Sequence, residues 1–320
     1  MPRKKKQPIH WLLASWWQVA LFVVLFVLVA LYPGQNPLVA EMLASPTHDV
    51  FGGQAIPEPP MHPYPEPQTP TVPGDEISAT SAIILDPDAM VYLYKRNDQL
   101  RLSPASTTKI LTALVSLDQY KLDDVLTVNK SLEDGSQVMG LVTGERMTVE
   151  NLLYGALIHS GNDAAFTLAE NYPGGLPAFV SAMNRKAKEL HLTESNFTNP
   201  AGFEDPAHKM TAHDLTLLAL AALQNKIVMK MVAIPSITIS DVTHTYFHKL
   251  TNVNQLLGKI PGVAGIKTGW TEEAGENLVT LVERGGRRLI IVVLHSKDRF
   301  GDTTNLISWV FSNFRWINLT

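Results

Sequence analysis

The chain has 320 residues, of which 45% are hydrophobic, so it can bury a substantial core in one large domain or two smaller ones. Its formal net charge is −4, which disfavours nucleic acid as a partner because no excess of basic side chains is available to neutralise phosphates. It contains no cysteine, which excludes disulfides, thiolate nucleophiles and cysteine metal sites.

The first predicted element is a transmembrane anchor at residues 11–32. This segment has no charged side chain and is long enough to cross the hydrocarbon layer, for which a helix needs about 20 residues. The preceding tail, residues 1–10, is basic, and the positive-inside rule keeps it in the cytoplasm. We therefore expect a single-pass membrane protein whose remaining residues lie outside the cytoplasm. The alternative is a signal peptide cleaved near Ala40 or Ala44, although this apolar run exceeds the usual length of about 7–15 residues.

Residues 33–75 are interpreted as a proline-rich linker. The segment holds about half of the chain's 21 prolines, so it favours extended polyproline-like conformations and cannot form a core. At about 3 Å per residue it would make a semi-rigid spacer. A ligand for a proline-recognition domain is the functional alternative.

The folded domain is predicted to occupy residues 76–320. Its first two strands are expected at residues 81–85 and 90–94, joined by a turn at Asp86-Pro87-Asp88. A helix follows, for which Ser103 suits the N-cap and Pro104 the first helical position.

Ser106 and Lys109 are the first candidate site residues. They are three residues apart, so we expect them side by side on the first turn of this helix. A desolvated lysine has a lowered pKa, and its neutral amine can take the proton of a serine hydroxyl. Alone, however, Ser-x-x-Lys indicates little, since about one copy is expected by chance in a chain of this length.

Four more helices are predicted in the middle of the domain, at residues 152–158, 163–172, 178–190 and about 212–223. Thr148 is expected to cap the first, and Thr211 with Asp214 gives the capping-box pattern at the start of the last. Ser160-Gly161-Asn162 falls between the first two helices, where a tight loop would present both polar side chains.

Strands return near the end of the chain, at residues 264–268, 277–283 and 288–294. Lys267-Thr268-Gly269 ends the first of these strands, and Gly285-Gly286 makes a hairpin turn between the other two. A final amphipathic helix runs through Phe314. Strands at both ends with helices between them predict one α+β domain, in which the strands form one antiparallel sheet covered by helices.

Three short patterns thus occur once each and in order: Ser106-x-x-Lys109, Ser160-Gly161-Asn162 and Lys267-Thr268-Gly269. Patterns of this kind mark penicillin-binding proteins and class A β-lactamases. From about Ser78 to Phe314 the chain resembles the D-alanyl-D-alanine carboxypeptidases, which are low-molecular-weight penicillin-binding proteins. The residues that carry the resemblance are the three patterns with their flanks, at 104–109, 160–165 and 265–271, and the blocks at 199–202 and 208–214. The resemblance implies that family's fold, a five-stranded antiparallel sheet flanked by helices.

The resemblance also implies catalytic roles. Ser106 would attack the carbonyl between two D-alanines of a peptidoglycan stem peptide, with Lys109 as its general base. Ser160 would relay a proton to the leaving amine. Asn162 would bind a substrate amide and help to position Lys109. Water would then hydrolyse the acyl-enzyme.

Four further residues would bind the substrate. Lys267 and Thr268 would bind its terminal carboxylate, by charge and by hydroxyl, and Gly269 would let it lie against the strand. The backbone N–H groups of Ser106 and Trp270 would form the oxyanion hole. No cofactor is implied. β-Lactams, which mimic the dipeptide, would acylate Ser106 and act as inhibitors, and the anchor would lie in a bacterial plasma membrane.

Several alternatives stay open at this point. A DD-endopeptidase that cuts cross-links shares these residues, and a non-catalytic wall-binding or β-lactam-sensing protein would use the same cleft. A β-lactamase is less favoured, because the chain lacks a Glu-x-x-Leu-Asn segment. Ser160 is alternatively a helix cap, the ring of Trp270 alternatively packs in the core, and Arg299 belongs either to the surface or to the site.

Two further expectations concern features that some related enzymes have. Zinc is not expected, because the histidines show no His-Glu-x-x-His pattern. Many members of the family carry a small β-rich domain and an amphipathic anchor after the catalytic domain, and here the amino-terminal segment is expected to replace that anchor.

Overall fold

The computed structural model describes residues 20–21, 23–24, 62–69, 71–74, 76–132 and 137–318. The chain divides into two units, residues 1–60 and 61–320. In the first unit the described residues, Ala20, Leu21, Val23 and Val24, are helical. The rest of the predicted anchor lies outside the described residues. Within the described ranges no single helix is long and apolar enough to cross a membrane, and a sharply bent pair, Ala212–Gln224 with Lys226–Val232, reaches that length only when taken together.

The described part of the second unit contains eleven strands and seven α-helices. In chain order these are β1 (Tyr64–Pro67), β2 (Ser81–Asp86), β3 (Val91–Arg96), α1 (Lys109–Gln119), β4 (Val125–Thr127), β5 (Arg146–Thr148), α2 (Val149–Leu157), α3 (Asn162–Glu170), α4 (Gly175–Glu189), α5 (Ala212–Gln224), α6 (Lys226–Val232), β6 (Ser236–Ser240), β7 (Phe247–Thr251), β8 (Val263–Thr271), β9 (Gly275–Arg284), β10 (Arg287–Ser296), α7 (Arg299–Asn313) and β11 (Phe314–Ile317).

A five-stranded sheet with the order β3-β2-β10-β9-β8 forms the centre of this unit. Every neighbouring pair is antiparallel. The turn between β9 and β10 is Gly285-Gly286, and both glycines have positive φ, 58° and 73°, as a tight hairpin turn requires. The predicted antiparallel sheet, built from strands at both ends of the domain, is therefore confirmed.

Side chains alternate between the two faces of the sheet along each strand, and an apolar cluster covers each face. Ile83 and Leu85 of β2 belong to a large apolar cluster with the helices α1 to α6. Ile84, between them, belongs to a second cluster with Leu306 and Val310 of α7. Packing on two sides holds the sheet rigidly, and its edge strand β8 carries one wall of the site described below.

Two predicted helix caps are also confirmed. The Thr148 side chain accepts a hydrogen bond from Asn151 N at the start of α2. The Thr211 side chain accepts one from Asp214 N at the start of α5. The Asp214 carboxylate does not complete a capping box, because it instead accepts hydrogen bonds from Glu194 N and the Ser195 hydroxyl.

Strand β1 lies inside the segment that was interpreted as a linker. It pairs antiparallel with β11, from Tyr64 opposite Ile317 to Pro67 opposite Phe314. Proline is tolerated here because an edge strand leaves half of its backbone groups unpaired in any case. Thr71 also donates a hydrogen bond to the Asn313 side chain, at 2.7 Å. The spacer therefore does not run unbroken to residue 75. Residues 33–61, 70 and 75 of the linker lie outside the described residues.

Candidate active site

A cleft of about 830 Å³ lies between strand β8 and the helical part of the unit. Six of the eight residues predicted for the site line it: Ser106, Ser160, Asn162, Thr268, Gly269 and Trp270. The other two, Lys109 and Lys267, are buried beneath its floor and hydrogen-bond to Ser106 and Ser160 respectively. The structure therefore brings all eight together.

The predicted start of the helix that carries Ser106 is wrong. Residues Ala105–Thr108 form a 3₁₀ turn, and the α-helix begins only at Lys109. Ser103 does not cap it, because the Ser103 hydroxyl donates to Glu273 Oε1 at 2.9 Å and accepts from Lys209 Nζ at 2.7 Å. Ser106 thus sits on a tight turn just before a helix.

Lys109 is fully buried and has three hydrogen-bond partners. Its Nζ lies 2.8 Å from Ser106 Oγ, 2.7 Å from Asn162 Oδ1 and 2.8 Å from the carbonyl oxygen of Ala201. The last two are acceptors only, so when the amine is neutral they take its two N–H bonds and leave its lone pair for the Ser106 hydroxyl. This is the geometry of a general base.

The charge state of Lys109 is set by the same surroundings. Burial lowers the pKa of its ammonium well below the ordinary value, the positive charge of Lys267 lowers it further, and the Asp163 carboxylate opposes both. Desolvation is the largest cause. The lysine is therefore prepared to act as a neutral amine.

The loop that supplies the Ala201 carbonyl depends on Gly202. This glycine has a φ of +85°, and a Cβ atom there would meet Ala105 O at 1.8 Å. Behind the loop, His208 Nδ1 accepts a hydrogen bond from Thr198 N at 3.2 Å, so the ring proton is on Nε2, which lies 2.9 Å from Thr108 Oγ1. Burial lowers the pKa of His208 to about 4, which keeps the ring neutral. Sequence reasoning missed the Ala201 carbonyl, although it singled out the block at 199–202.

Ser160 contacts the second lysine of the site, Lys267. Its φ is 63°, and its hydroxyl accepts a hydrogen bond from Lys267 Nζ at 2.8 Å. Helix α3 begins at Asn162 with Gly161 at its N-cap, so the capping alternative for Ser160 does not hold. Asn162 is the first residue of that helix and is not part of the loop.

Lys267, Thr268 and Gly269 lie on β8. Lys267 is buried, and burial together with the nearby Arg299 guanidinium lowers its pKa to about 7. A Cβ atom on Gly269 would lie 2.9 Å from Pro104 O and 3.1 Å from Ser106 N. The missing side chain therefore lets β8 approach the turn that bears Ser106. The family resemblance instead explains this glycine by contact with the substrate.

Trp270 and Arg299 complete the wall of the cleft. The Trp270 side chain is not core packing, because the residue is 62% exposed at the rim. Arg299, the first residue of α7, donates from Nη1 to Gly269 O at 2.8 Å, and its own N–H donates to Glu276 Oε2 at 2.9 Å. The structure therefore assigns Arg299 to the cleft. In the part of the chain that the structure describes, no group of three or more His, Asp or Glu side chains is arranged to hold a metal ion.

Comparison with known proteins gives a consistent result. The sequence profile of the family described as D-alanyl-D-alanine carboxypeptidase matches residues 66–298. The chain is 36% identical over 245 residues to D-alanyl-D-alanine carboxypeptidase DacF of Bacillus subtilis, an alignment that covers 74% of this chain and 63% of that protein. It is 34% identical over 245 residues to a D-alanyl-D-alanine endopeptidase of Pseudomonas aeruginosa, covering 73% of this chain and 78% of the other.

A solved structure shows the same similarity in three dimensions. The crystal structure of a DD-transpeptidase from Streptomyces superimposes with a TM-score of 0.71 at 32% sequence identity. The match covers 76% of this chain and 99% of that structure. Fold and sequence thus point to one family.

Proposed function

The chain belongs to the D-alanyl-D-alanine carboxypeptidase family. We propose that it removes the terminal D-alanine from peptidoglycan stem peptides through an acyl-enzyme on Ser106. The observation that carries this proposal is the fully buried Lys109, 2.8 Å from the Ser106 hydroxyl and with its pKa lowered well below the ordinary value. An apolar side chain at this position would fill the same space without the cost of desolvating a charge. Stability alone therefore does not explain a buried lysine here.

In the acylation step, Ser106 Oγ attacks the carbonyl carbon between the two D-alanines while the Lys109 amine takes the hydroxyl proton. The C–N bond to the terminal D-alanine then breaks, and the proton taken up by Lys109 passes by way of Ser160 to the leaving nitrogen, which leaves Lys109 neutral again. The hydrogen bond from Lys267 to Ser160 Oγ, at 2.8 Å, supports this relay. Backbone N–H groups of Ser106 and Trp270 stabilise the oxyanion.

The terminal carboxylate of the substrate is bound at the end of the cleft formed by β8. Lys267 and Thr268 bind it by charge and by hydroxyl, and Arg299 adds a second positive charge close to the same place, as its effect on the pKa of Lys267 indicates. Two cations and a hydroxyl in a partly desolvated cleft favour a free carboxylate over an amide. The cleft should therefore prefer the carboxyl-terminal end of a peptide to a peptide bond within a chain.

Hydrolysis of the acyl-enzyme regenerates Ser106. Water enters the open cleft and attacks the ester while Lys109 takes its proton. The bond between Ser106 Oγ and the carbonyl carbon breaks, Lys109 returns the proton to Ser106 Oγ, and the shortened stem peptide leaves. A β-lactam follows the first step only. Its ring opens on Ser106, and because its leaving group stays attached to the acyl-enzyme, we expect deacylation to be slow.

The experiment that tests the function follows release of D-alanine from a pentapeptide that ends in two D-alanines. The full-length chain is compared with Ser106→Ala and with Ser181→Ala, a matched change at an exposed serine on α4. Release by the parent chain and Ser181→Ala, together with loss in Ser106→Ala, is the expected result. Release only from dimeric, cross-linked muropeptides would favour an endopeptidase, and binding of labelled penicillin without any cleavage would favour a sensor.

We also propose that residues 11–32 anchor the protein in the bacterial plasma membrane with the catalytic domain outside the cytoplasm. The uncharged run and the basic tail before it support this topology. The test is protease treatment of spheroplasts that express the full-length chain. Digestion of the catalytic domain without lysis is expected, and protection until lysis would contradict the proposed orientation.

A further inference from the structure

We infer that Glu145 and His248, two buried residues outside the cleft, share one proton and act as a positioning pair for Asn162 and Lys109. This inference rests on the proposed function, because the reaction it concerns is acylation of Ser106. The pair acts through the loop of residues 137–142, and neither residue touches the substrate.

The two side chains are almost fully enclosed. The exposed fraction of the His248 side chain is 6%, and that of Glu145 is 0%. His248 Nε2 lies 2.7 Å from Glu145 Oε1, and His248 Nδ1 lies 3.0 Å from the carbonyl oxygen of Met139. The second carboxylate oxygen of Glu145 accepts from Val142 N at 2.9 Å. The pair thus grips the loop at two points, Met139 and Val142.

This geometry fixes the number of protons. A carbonyl oxygen only accepts, so His248 must carry a proton on Nδ1. An ionised carboxylate also only accepts, so either Nε2 carries a second proton or Glu145 is protonated and donates to Nε2. Both descriptions hold one proton more than a neutral imidazole beside an ionised carboxylate. Removing that proton would leave two lone pairs facing each other in a buried site, at a cost that breaks one of the bonds.

The loop connects this pair to the catalytic residues. The N–H groups of Met139, Gly140 and Leu141 all donate to the Asp163 carboxylate, at 2.9–3.0 Å. Asn162 N donates to Gln137 O at 2.8 Å. The loop therefore encloses the first turn of α3 and fixes the backbone of Asn162.

The last link is the Asn162 side chain, whose oxygen accepts from Lys109 Nζ at 2.7 Å. Hydrogen bonds joined by short stretches of backbone thus connect His248 on β7, through the loop and the start of α3, to the proposed base. A shift of the loop would move Asn162 and so weaken the alignment of the Lys109 lone pair with Ser106. The effect falls on the chemical step more than on substrate binding.

The first test is a nitrogen-15 NMR spectrum of the histidine rings in the full-length protein. His248→Gln identifies the signal of His248 by its disappearance. The expected result is a proton on Nδ1, and a proton on Nε2 or a strong hydrogen bond to it. An Nδ1 without a proton would contradict the shared-proton arrangement, and this measurement does not depend on catalysis.

The second test measures acylation by labelled penicillin in the parent chain, in His248→Gln and in the matched control His244→Gln. His244 is exposed in the same β6–β7 hairpin, and its ring contacts Ser240 Oγ at 2.8 Å. We expect His248→Gln to lower the first-order acylation rate constant about tenfold with less than a twofold change in the binding constant. Both N–H bonds of the amide belong to one nitrogen, so they cannot take the separate positions of Nδ1 and Nε2. The control should stay within twofold of the parent.

Equal acylation rates in folded His248→Gln and parent protein would overturn the inference. If His248→Gln does not fold, Glu145→Leu removes both oxygens that bind His248 and Val142 and gives the same comparison, with the same decrease expected. A parent chain that penicillin does not acylate would be a failure of the proposed function instead, and the two failures are therefore distinguishable.

Discussion

The Lys109 amine owes its proposed role to two oxygen atoms that are not part of the Ser-x-x-Lys pattern. Asn162 Oδ1 and Ala201 O hold two of its N–H bonds, so the lone pair is directed at Ser106. Both acceptors are uncharged, and this matters because a carboxylate in the same place would stabilise the ammonium. The neutral amide is thus the residue type that orients the amine without raising its pKa.

Asn162→Asp tests this argument with almost no change of shape. A carboxylate 2.7 Å from Lys109 Nζ would raise the pKa of the ammonium and remove the neutral base at pH 7. We expect penicillin acylation at pH 7 to fall about 100-fold and to recover as the pH is raised. The measurement is the pH profile of the acylation rate constant, with Asn162→Ala as the control that removes the oxygen without adding charge. An Asp variant with the parent profile would show that Asn162 does not set the charge of Lys109.

Lys267 gives a second prediction with a defined pH window. Its pKa is lowered to about 7, first by burial and then by Arg299, so the free enzyme holds this ammonium below pH 7 and loses it above. On the proposed function, the charge that would bind the substrate carboxylate therefore decreases as the pH rises. We expect KM for the pentapeptide to rise about tenfold between pH 6 and pH 8.5.

The matched variant for this prediction is Lys267→Arg, because a guanidinium stays protonated throughout this range. Its KM is expected to be flat between pH 6 and pH 8.5, whatever its absolute value. A parent enzyme whose KM is equally flat would mean that Lys267 keeps its proton well above pH 7 in the free enzyme.

At the scale of elements, the site depends on two close approaches between backbones. Gly269 lets β8 lie against the 3₁₀ turn that bears Ser106, and Gly202 lets the loop after Asn199 lie against the same turn. The turn is therefore held between a strand and a loop. This arrangement fixes the Ser106 N–H and the Ala201 carbonyl relative to each other.

Gly202→Ala should lower the free energy of unfolding strongly, both through backbone strain and through a steric clash. A second glycine variant, which has the strain without the clash, separates the two effects. Its φ is +85°, and the added Cβ would collide with Ala105 O at 1.8 Å. Gly258 has a similar φ of +76°, and the structure places no described atom within 4 Å of a Cβ there. Gly258→Ala thus carries the backbone strain alone, about 1–2 kcal/mol. We expect urea unfolding to show a loss of about 4 kcal/mol or more for Gly202→Ala, and equal losses in both variants would contradict the clash.

Long elements with a clear pattern were predictable from the sequence. The strands β2, β9 and β10 are runs of apolar, β-branched residues, and the caps at Thr148 and Thr211 follow from local hydrogen bonding. The pairs β4–β5 and β6–β7 were missed, since strands of three to five residues give little periodicity. Ser103 was misread because its hydroxyl binds Glu273, 170 residues away in sequence, in preference to the nearby backbone.

The site was predictable to a similar degree. Side chains named by the three patterns meet in one cleft. The Ala201 carbonyl was not predictable, because a backbone oxygen leaves no signature in the residue type. The packing role of Gly269 was not predictable either. The sequence does not show whether the space left by a missing side chain is filled by the substrate or by another part of the protein.

The folded domain begins earlier along the chain than the amino-acid composition indicates. Strand β1 adds four residue pairs to β11, and Arg96 donates to Gly74 O at 2.8 Å. These contacts tie residues before position 76 to the domain. The prolines of this segment led to the prediction of a linker. A high proline content indicates that a segment cannot form a core, but it does not exclude an edge strand.

Two soluble fragments test how much β1 contributes. One begins at residue 62 and includes β1, and the other begins at residue 76. Loss of the β1–β11 pair would expose the aromatic side chains of β11, so we expect the shorter fragment to melt about 2–4 °C lower. Differential scanning calorimetry gives both Tm values, and acylation by labelled penicillin confirms that each fragment is folded. Equal Tm values would show that β1 adds nothing to stability.

The pairing of β1 with β11 also has a mechanical consequence. If the proposed anchor holds the amino terminus while the enzyme engages the wall, any tension along the chain reaches the catalytic unit at Tyr64. The load then falls on a ribbon of four residue pairs before it reaches the central sheet, whose strands β9 and β10 are ten residues long. The short β1–β11 ribbon has fewer residue pairs than the central sheet, so its strands would separate first. The segment between the anchor and the folded domain would then become longer. The cleft would meanwhile keep its shape, because none of its walls belongs to the part that yields.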